Sequence, residues 1–268
     1  KRTRAIMPVH LTGLPCDMTS ICQIAAQYKL RILEDSCEAM FVEHNGRRVG
    51  SFGDAAAFSS YVAHYLSTGV GGLATTDDPD LAVRIRSLAN HGRDSIYLKL
   101  EDGRDHNGRV QREVIEKRFH FTSVGHSFRC TEFEAALGLA QLEEAHKMMA
   151  ARKKNAAKLS AGLESLSYFL QIPSIPDHPY MVYPILARTG KADLVQYLEA
   201  NGIETRDLLP LINQPIYRKL YGNLDAKYPN AARINAKGFY IGCHQYLTDV
   251  DIEKIVRTIR KFYAGARR

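Results

Sequence analysis

The sequence lacks the features that mark secreted, disulfide-rich and membrane proteins. Its 268 residues include no signal peptide and no apolar run near the roughly 18 residues that a membrane-spanning helix needs. The five cysteines form no CxxC pair and have no histidines at ligand-like spacing. This pattern argues against a disulfide framework, against a structural zinc site and for a reducing compartment. We therefore predict a cytoplasmic protein with no membrane span and no metal centre.

The sequence also lacks a basic stripe, although 36 lysines and arginines outnumber 29 acidic residues and give a formal charge of +7. Its densest basic cluster, residues 152–154, lies inside an amphipathic helical pattern and has no interleaved aromatic residues. Clustering, rather than total charge, marks a nucleic-acid or membrane surface. Because this sequence shows no such clustering, we predict no nucleic-acid partner. The excess of basic residues also suits an enzyme with an anionic substrate.

What the sequence does contain is the alternating pattern of an α/β fold. Residues 5–11 and the run RILEDS at 31–36 predict buried strands, and Asp17 is the N-cap of a helix between them. A strand–helix–strand unit of this kind is typical of a parallel sheet. AAAFSSY and LATT predict two further strands, and Asp78-Pro79 begins another helix. We predict a mostly parallel sheet flanked by helices.

The second half of the chain predicts a smaller α+β lobe. Residues 94–119 are polar and irregular, and they predict a long surface loop. Thr131 and Glu134 form a capping box that opens one long helix. Beyond that helix, short strands alternate with helices as far as a final amphipathic helix at 248–263.

These patterns predict two domains, an α/β domain at residues 1–150 and a small α+β domain at 151–268. The chain opens with KRTR directly before an apolar strand, without an initiator methionine or a capping element. We therefore expect it to start inside a domain, with an N-terminal part of the larger domain missing.

Four polar residues are candidates for a functional site. Asp35 ends a predicted parallel strand, where its carboxylate suits a protonated ring nitrogen, or it is a plain turn aspartate. Ser59 ends the next strand and suits a phosphate, or it is a turn serine. His64, followed by GVGG, is a proton-transfer candidate or a structural histidine. Arg129 is suited to clamping a carboxylate, or it forms a surface ion pair.

Seven motifs, in their order, resemble the DegT/DnrJ/EryC1/StrS family, the sugar-nucleotide aminotransferases of pyridoxal-phosphate fold type I. They are PVHLTGLPCDM, LEDSCEA, VGSFGDAAAFSSY, GVGG, RSLANHG, GHSFRCTEFEAALGLAQLE and GIETRDLLP. The resemblance implies this fold, a pyridoxal 5'-phosphate cofactor, a sugar-nucleotide substrate and a homodimer. It further implies that Asp35 pairs with the pyridine nitrogen, Glu38 hydrogen-bonds the phenolic oxygen and Ser59 holds the phosphate. Arg129 then takes the carboxylate of the amino donor.

The sequence departs from most of this family at position 64. An ordinary member has there the lysine that holds the cofactor covalently, whereas SSYVAHYLSTGVGG places His64 at this point. The exchange is similar to that of the family's sugar 3-dehydratases, such as GDP-4-keto-6-deoxymannose 3-dehydratase. The resemblance implies pyridoxamine 5'-phosphate regenerated from glutamate, a nucleotide-linked 4-keto-6-deoxyhexose as substrate and His64 as the proton-transfer residue. Residues 94–119 contain no cysteine, which favours the branch without an iron–sulfur cluster.

Two other interpretations stay open. One is a sugar-nucleotide aminotransferase whose lysine function is supplied elsewhere, and the other is a catalytically inactive paralogue that binds cofactor or a partner. The absence of lysine at position 64 fits an inactive paralogue as well as it fits a dehydratase. The combination of His64 with the GVGG run favours the dehydratase.

Overall fold

The chain divides into two units, Lys1–Glu143 and Glu144–Arg268. The predicted boundary at residue 150 falls inside the first helix of the second unit. The computed structural model describes residues 2–94, 108–175, 178–208 and 210–265.

Both units combine strands and helices. The strands are β1 (Ala5–Ile6), β2 (Arg31–Asp35), β3 (Glu43–His44), β4 (Arg47–Arg48), β5 (Ala55–Ser59), β6 (Gly72–Thr75), β7 (Leu170–Gln171), β8 (Val182–Ala187), β9 (Thr205–Asp207) and β10 (Gly238–Gly242). The helices are α1 (Met18–Tyr28), α2 (Pro79–Ala89), α3 (Gly108–Lys117), α4 (Glu132–Glu143), α5 (Ala145–Leu163), α6 (Lys191–Ala200), α7 (Pro215–Tyr221), α8 (Pro229–Lys237) and α9 (Asp249–Gly265). Short 3-10 turns lie at Leu11–Gly13, Glu164–Leu166 and Leu211–Asn213.

The first unit is built on a four-stranded sheet in the order β1-β2-β5-β6. The first three strands run parallel, and β6 pairs antiparallel with β5 at one edge. Helix α1 connects β1 to β2, and Asp17 caps it by accepting the backbone N–H of Ser20 at 3.2 Å. The predicted mostly parallel sheet with flanking helices is thus confirmed.

The prediction of a loop over residues 94–119 is wrong in its second part. Residues 108–117 form α3, and residues 95–107 lie outside the described residues. The segment GRVQREVIEK is polar, but arginine, glutamine, glutamate and lysine are good helix formers. Glu113 and Lys117 form an ion pair across one turn at 3.1 Å. Polarity alone therefore misled the sequence interpretation.

The predicted single long helix after Thr131 is also wrong, because it is two helices. The capping box is present, since the Thr131 N–H donates to the Glu134 carboxylate at 2.8 Å. Helix α4 then ends at Glu143, and α5 begins after Glu144, whose backbone (φ −90°, ψ −2°) interrupts the helical ladder. Alanine, leucine and glutamate on both sides are strong helix formers, so no local signal marks the break.

The second unit has an antiparallel sheet in the order β7-β8-β10-β9. The predicted alternation of short strands and helices is present as strand β8, helix α6 and strand β9, and the predicted final helix is α9. Strand β10, which pairs with both β8 and β9, was missed because GFYIG is short and bounded by glycines. The core of the second unit consists of fully buried side chains, among them Leu159, Ile185, Leu194, Phe239 and Ile259.

A buried carboxylate ties the first unit together. Strand β2 alternates between exposed and buried residues, which points Ile32 and Glu34 inward. Glu34 is 2% exposed, and its carboxylate accepts the backbone N–H groups of Gly50, Phe52 and Gly53, each at 2.7 Å. Its Oε2 also lies 3.3 Å from Nε2 of His10, which is fully buried. Glu34 therefore joins three separate segments of the chain.

These contacts keep Glu34 ionised. Burial alone would raise its pKa, but the hydrogen bonds from His10 and from the three backbone amides outweigh burial and lower the pKa below 4.5. A carboxyl whose pKa is lower in the folded state stabilises the fold above its unfolded pKa. That contribution is lost as the pH falls through the lowered folded-state value.

We predict that Glu34→Ala lowers the free energy of unfolding by about 3–5 kcal/mol, because it leaves three buried amides without their acceptor. Urea denaturation at neutral pH measures the change. The matched control is Glu43→Ala, since Glu43 is half-exposed and only 4.0 Å from Arg48, and its loss is expected to cost less than about 0.5 kcal/mol. Equal stability of the two variants would contradict this account.

Candidate active site

The candidate residues Asp35 and Ser59 lie at the same edge of the parallel sheet. Asp35 is the last residue of β2 and pairs in register with Ala57 of β5. Ser59 is the last residue of β5, two positions further along. Because the two strands are parallel, their carboxyl ends meet at one edge, where open α/β sheets bind ligands.

The backbone of Asp35 is held by two hydrogen bonds to the segment before α1. Its N–H donates to the Pro8 carbonyl at 2.9 Å, and its carbonyl accepts the His10 N–H at 3.0 Å. In the side chain, Oδ1 accepts the N–H of Cys37 at 3.2 Å. The Cys37 thiol is also hydrogen-bonded to this carboxylate, and burial together with the negative charge of Asp35 raises the pKa of that thiol to about 12. The strand end thus places the Asp35 carboxylate at the edge where a ligand would bind.

A closed loop follows Ser59 and carries His64. The Ser59 hydroxyl accepts the N–H of Tyr61 at 3.2 Å. Ser60 is buried, its hydroxyl lies 2.6 Å from that of Thr68, and its carbonyl accepts the Thr68 N–H at 2.8 Å. These bonds join the two ends of the loop and fix its shape.

Glycines let the end of this loop return closely to the sheet. Gly71 has φ +122°, a conformation that residues with a side chain rarely adopt. A Cβ at Gly72 would lie 2.5 Å from the carbonyl oxygen of Phe58, which is closer than side chains tolerate. The GVGG run therefore has a backbone role, which is to bring the chain back beside Ser59.

His64 is half-buried within this loop. Its Nδ1 is buried without a hydrogen-bond partner in the described part of the chain. Burial lowers the pKa of His64 below 6.5, and the negative charges of Glu38 and Asp35 oppose that shift only in part. The imidazole is therefore mainly neutral at pH 7, with a ring nitrogen that can accept a proton.

Glu38 holds a strained turn against the strand end. Its carboxylate accepts the backbone N–H of Thr12. Thr12 is buried and has φ +61°, which is unfavourable for a β-branched residue. The hydrogen bond to Glu38 offsets part of that cost, so Glu38 fixes the position of residues 11–13 beside the candidate site.

Arg129 lies in an exposed extended segment. Its Nη2 donates to the Ser127 hydroxyl at 3.2 Å. The segment pairs with the end of α2, since the N–H of Phe128 donates to Ala89 at 2.9 Å. Among the described residues, no hydrogen bond or ion pair joins Arg129 to Asp35 or His64. Its role in binding a carboxylate stays a prediction.

Comparison with known proteins shows where this chain belongs. Residues 1–260 match the family model described as the DegT/DnrJ/EryC1/StrS aminotransferase family. The chain belongs to this family. Its members are pyridoxal-phosphate-dependent sugar aminotransferases and dehydratases, so the protein has the fold of a pyridoxal-phosphate-dependent enzyme.

Both activities occur among similar proteins. The chain is 32% identical to the GDP-perosamine synthase of Caulobacter vibrioides, over 96% of this chain and 66% of that protein. It is 26% identical to the GDP-4-keto-6-deoxy-D-mannose 3-dehydratase of Yersinia pseudotuberculosis, over 97% of this chain and 67% of that protein. The E. coli GDP-4-keto-6-deoxy-D-mannose-3-dehydratase with bound hydrated pyridoxal phosphate shares the fold, with TM-score 0.80 and 23% identity over 96% of this chain and 67% of that one. The chain thus spans about two thirds of the length of these relatives.

The residues at the sheet edge fit pyridoxal phosphate. The strand-end carboxylate of Asp35 suits the protonated ring nitrogen, and Ser59 with the backbone of its loop suits the phosphate. The orphaned Nδ1 of His64 is a buried polar atom that needs a partner. When bound, the cofactor withdraws electrons from the carbon that loses a proton. The individual roles of these residues remain predictions.

A metal-binding group and a membrane-spanning helix are both absent from the parts of the chain that the structure describes. No group of three or more His, Cys, Asp or Glu is arranged to hold a metal ion in these ranges. No helix there combines the length and the apolarity that crossing a membrane requires.

Sequence reasoning missed the residues whose hydrogen bonds hold the chain segments next to the candidate site. Glu34, His10 and Thr12 were not singled out, yet they hold the segments on either side of Asp35. A signal for Glu34 was present, because the period of two in RILED places it on the same face as the buried Ile32. Nothing in the local sequence marks the strained conformation of Thr12.

We predict that His64 titrates below the ordinary histidine value of 6.5, and that Glu38→Gln lowers its pKa further by removing a nearby negative charge. NMR titration of the histidine ring protons measures both values, with His64→Asn used to assign the signal. A pKa at or above 6.5, or one that Glu38→Gln leaves unchanged, would show that the loop does not place the imidazole as described.

Proposed function

We propose that this protein is a 3-dehydratase that uses pyridoxal and pyridoxamine phosphate and acts on a nucleotide-linked 4-keto-6-deoxyhexose. The observation that carries the proposal is the half-buried imidazole of His64, at the sheet edge, where most of the family has a lysine amine. An imidazole moves protons but cannot form a covalent link to an aldehyde. The amine needed for a resting covalent enzyme–cofactor link is therefore missing at this position.

Each residue has a defined task in the proposed reaction. Asp35 pairs with the ring nitrogen of the cofactor and stabilises its protonated form. Ser59 donates to the phosphate, and Glu38 faces the phenolic oxygen while it holds Thr12. His64 takes the proton from the aminomethyl carbon, which its lowered pKa permits because the neutral imidazole is the form that accepts a proton.

The proposed partners are small molecules. A 4-keto-6-deoxy sugar nucleotide is the substrate, as the name of the Yersinia relative states for that protein. Glutamate is the proposed amino donor, with Arg129 binding its carboxylate by paired N–H···O bonds. We place the protein in the cytoplasm, where sugar nucleotides are made, and we propose that it carries no iron–sulfur cluster.

An aminotransferase is the second candidate. The higher identity to a GDP-perosamine synthase favours it, at 32% against 26% for the 3-dehydratase. This candidate needs an amine in the site, and position 64 does not supply one. An inactive paralogue is the third candidate, and it requires that bound cofactor not respond to glutamate.

The test of the proposed activity is spectroscopic. We expect glutamate to convert the pyridoxal band of the protein with bound cofactor to the pyridoxamine band, while borohydride traps no lysine adduct. We expect His64→Lys to give a trapped adduct at position 64 and to lower 3-deoxysugar formation by about a hundredfold or more, since it removes the proton-transfer imidazole.

His64→Asn is the matched control for that experiment, because it should bind cofactor and still lack activity. Undiminished 3-deoxysugar formation by the His64→Lys variant would contradict the proposal. A lysine adduct in the unmodified protein would favour the aminotransferase, and the absence of any spectral change with glutamate would favour the inactive paralogue.

We also propose that the protein acts as a homodimer. Helix α4 has no buried residue, even though it carries several large apolar side chains. Those of Phe133, Leu137, Leu139 and Leu142 are each more than half exposed. Edge strand β6 is exposed along its whole length. Exposed apolar patches of this kind mark interaction sites, and the implied homodimer supplies a second copy to cover them.

We predict that the double variant Leu139→Glu, Leu142→Glu is monomeric, because two carboxylates cannot be buried unpaired in an apolar interface. Light scattering after gel filtration measures the mass. Leu220→Glu is the control, since the exposure of Leu220, 62%, lies between the 51% of Leu142 and the 66% of Leu139, but Leu220 belongs to the second unit. A dimer that withstands the double substitution would place the interface elsewhere.

A further inference from the structure

The net positive charge of the protein is confined to one unit. Residues 144–268 contain 19 lysines and arginines against 11 acidic residues, a net charge of +8. Residues 1–143 contain 17 against 18, a net charge of −1. The proposed reaction does not account for this asymmetry, because its catalytic candidates lie in the first unit.

Part of that charge borders a groove between helices α5 and α9. The two helices pack very closely where they meet, since a Cβ at Gly162 would lie 2.5 Å from Cγ2 of Val256. Beside this contact runs an open groove of about 740 Å³. Its apolar floor is lined by Ala161, Gly162, Ile252, Val256 and Ala264.

Cations border the floor of the groove. On α9, Arg257, Arg260 and Lys261 recur at helical spacing and are exposed. None of these three forms an ion pair within the described residues. On α5, Lys158 pairs with Asp249 at 2.5 Å, and Glu253 is the other acid of the lining. The lining therefore keeps an excess of two positive charges.

We propose that this groove binds an acidic amphipathic helix of a partner protein. A groove along the line where two helices pack has the shape that receives a third helix. The small floor residues allow its backbone to approach closely, and the apolar floor excludes water beneath it. The cations of Arg257, Arg260 and Lys261 then face carboxylates that flank the apolar stripe of the incoming helix.

This occupant fits the groove better than other polyanions do. A nucleic acid presents phosphates but no apolar stripe for Ala161 and Val256 to contact. A lipid surface is flat or convex on this scale, whereas the groove is concave. Both would bind through the cations alone, so the contribution of the floor distinguishes them from a helix.

The test uses the full chain and a fluorescein-labelled synthetic helix of about five turns, with a leucine–alanine stripe flanked by glutamates. Fluorescence anisotropy at physiological ionic strength measures its affinity. We expect the triple variant Arg257→Glu, Arg260→Glu, Lys261→Glu to bind at least about tenfold more weakly. The matched control is Lys219→Glu, Lys227→Glu, Lys237→Glu, which makes the same change of charge on exposed residues outside the groove and should bind normally.

A second variant tests the floor without touching the charge. Ala161→Trp fills the groove and is expected to weaken binding to a similar degree, and circular dichroism checks that each variant is folded. Equal loss of binding in both triple variants, or unchanged binding by Ala161→Trp, would overturn the proposal. So would binding of phosphatidylserine vesicles or duplex DNA through the same three cations in the absence of peptide binding.

Discussion

A carboxylate in the interior of a protein is tolerated when hydrogen bonds replace the water it has lost, and Glu34 meets this condition. Three backbone amides from residues 50–53 and the ring of His10 surround it. The segment before α1, strand β2 and the turn before β5 must therefore meet at one point. The strand order around β2, and with it the edge that carries the candidate site, depends on this arrangement.

The site exploits the two faces of one strand. Glu34 points into the interior, and the next residue, Asp35, ends the strand at the sheet edge. Across the sheet edge, the loop after Ser59 is closed by Ser60, Thr68 and glycines, which half-bury His64. The strand end thus places a carboxylate, and the loop places a mainly neutral imidazole, at one edge of the sheet. The proposed proton transfer next to a protonated pyridine ring would use that combination.

Two surfaces of the protein point to two kinds of association. Helix α4 exposes Phe133, Leu137, Leu139 and Leu142, and strand β6 exposes Leu73, which suits the contact with a second copy that we propose. The groove between α5 and α9 has small apolar residues bordered by cations, which suits a partner that is steered by its opposite charge.

The sequence alone determined the strand–helix–strand start, the helix caps at Asp17 and Thr131, the family and the replacement of a lysine by His64. These features are encoded by local periodicity, by capping chemistry and by residue identity. Other features depend on distant parts of the chain: the ionised state of Glu34, the strained Thr12 held by Glu38 and the insertion of β10 between β8 and β9. Only the tertiary structure decided these, because burial and hydrogen bonding between residues far apart in sequence set their free energies and leave no local pattern.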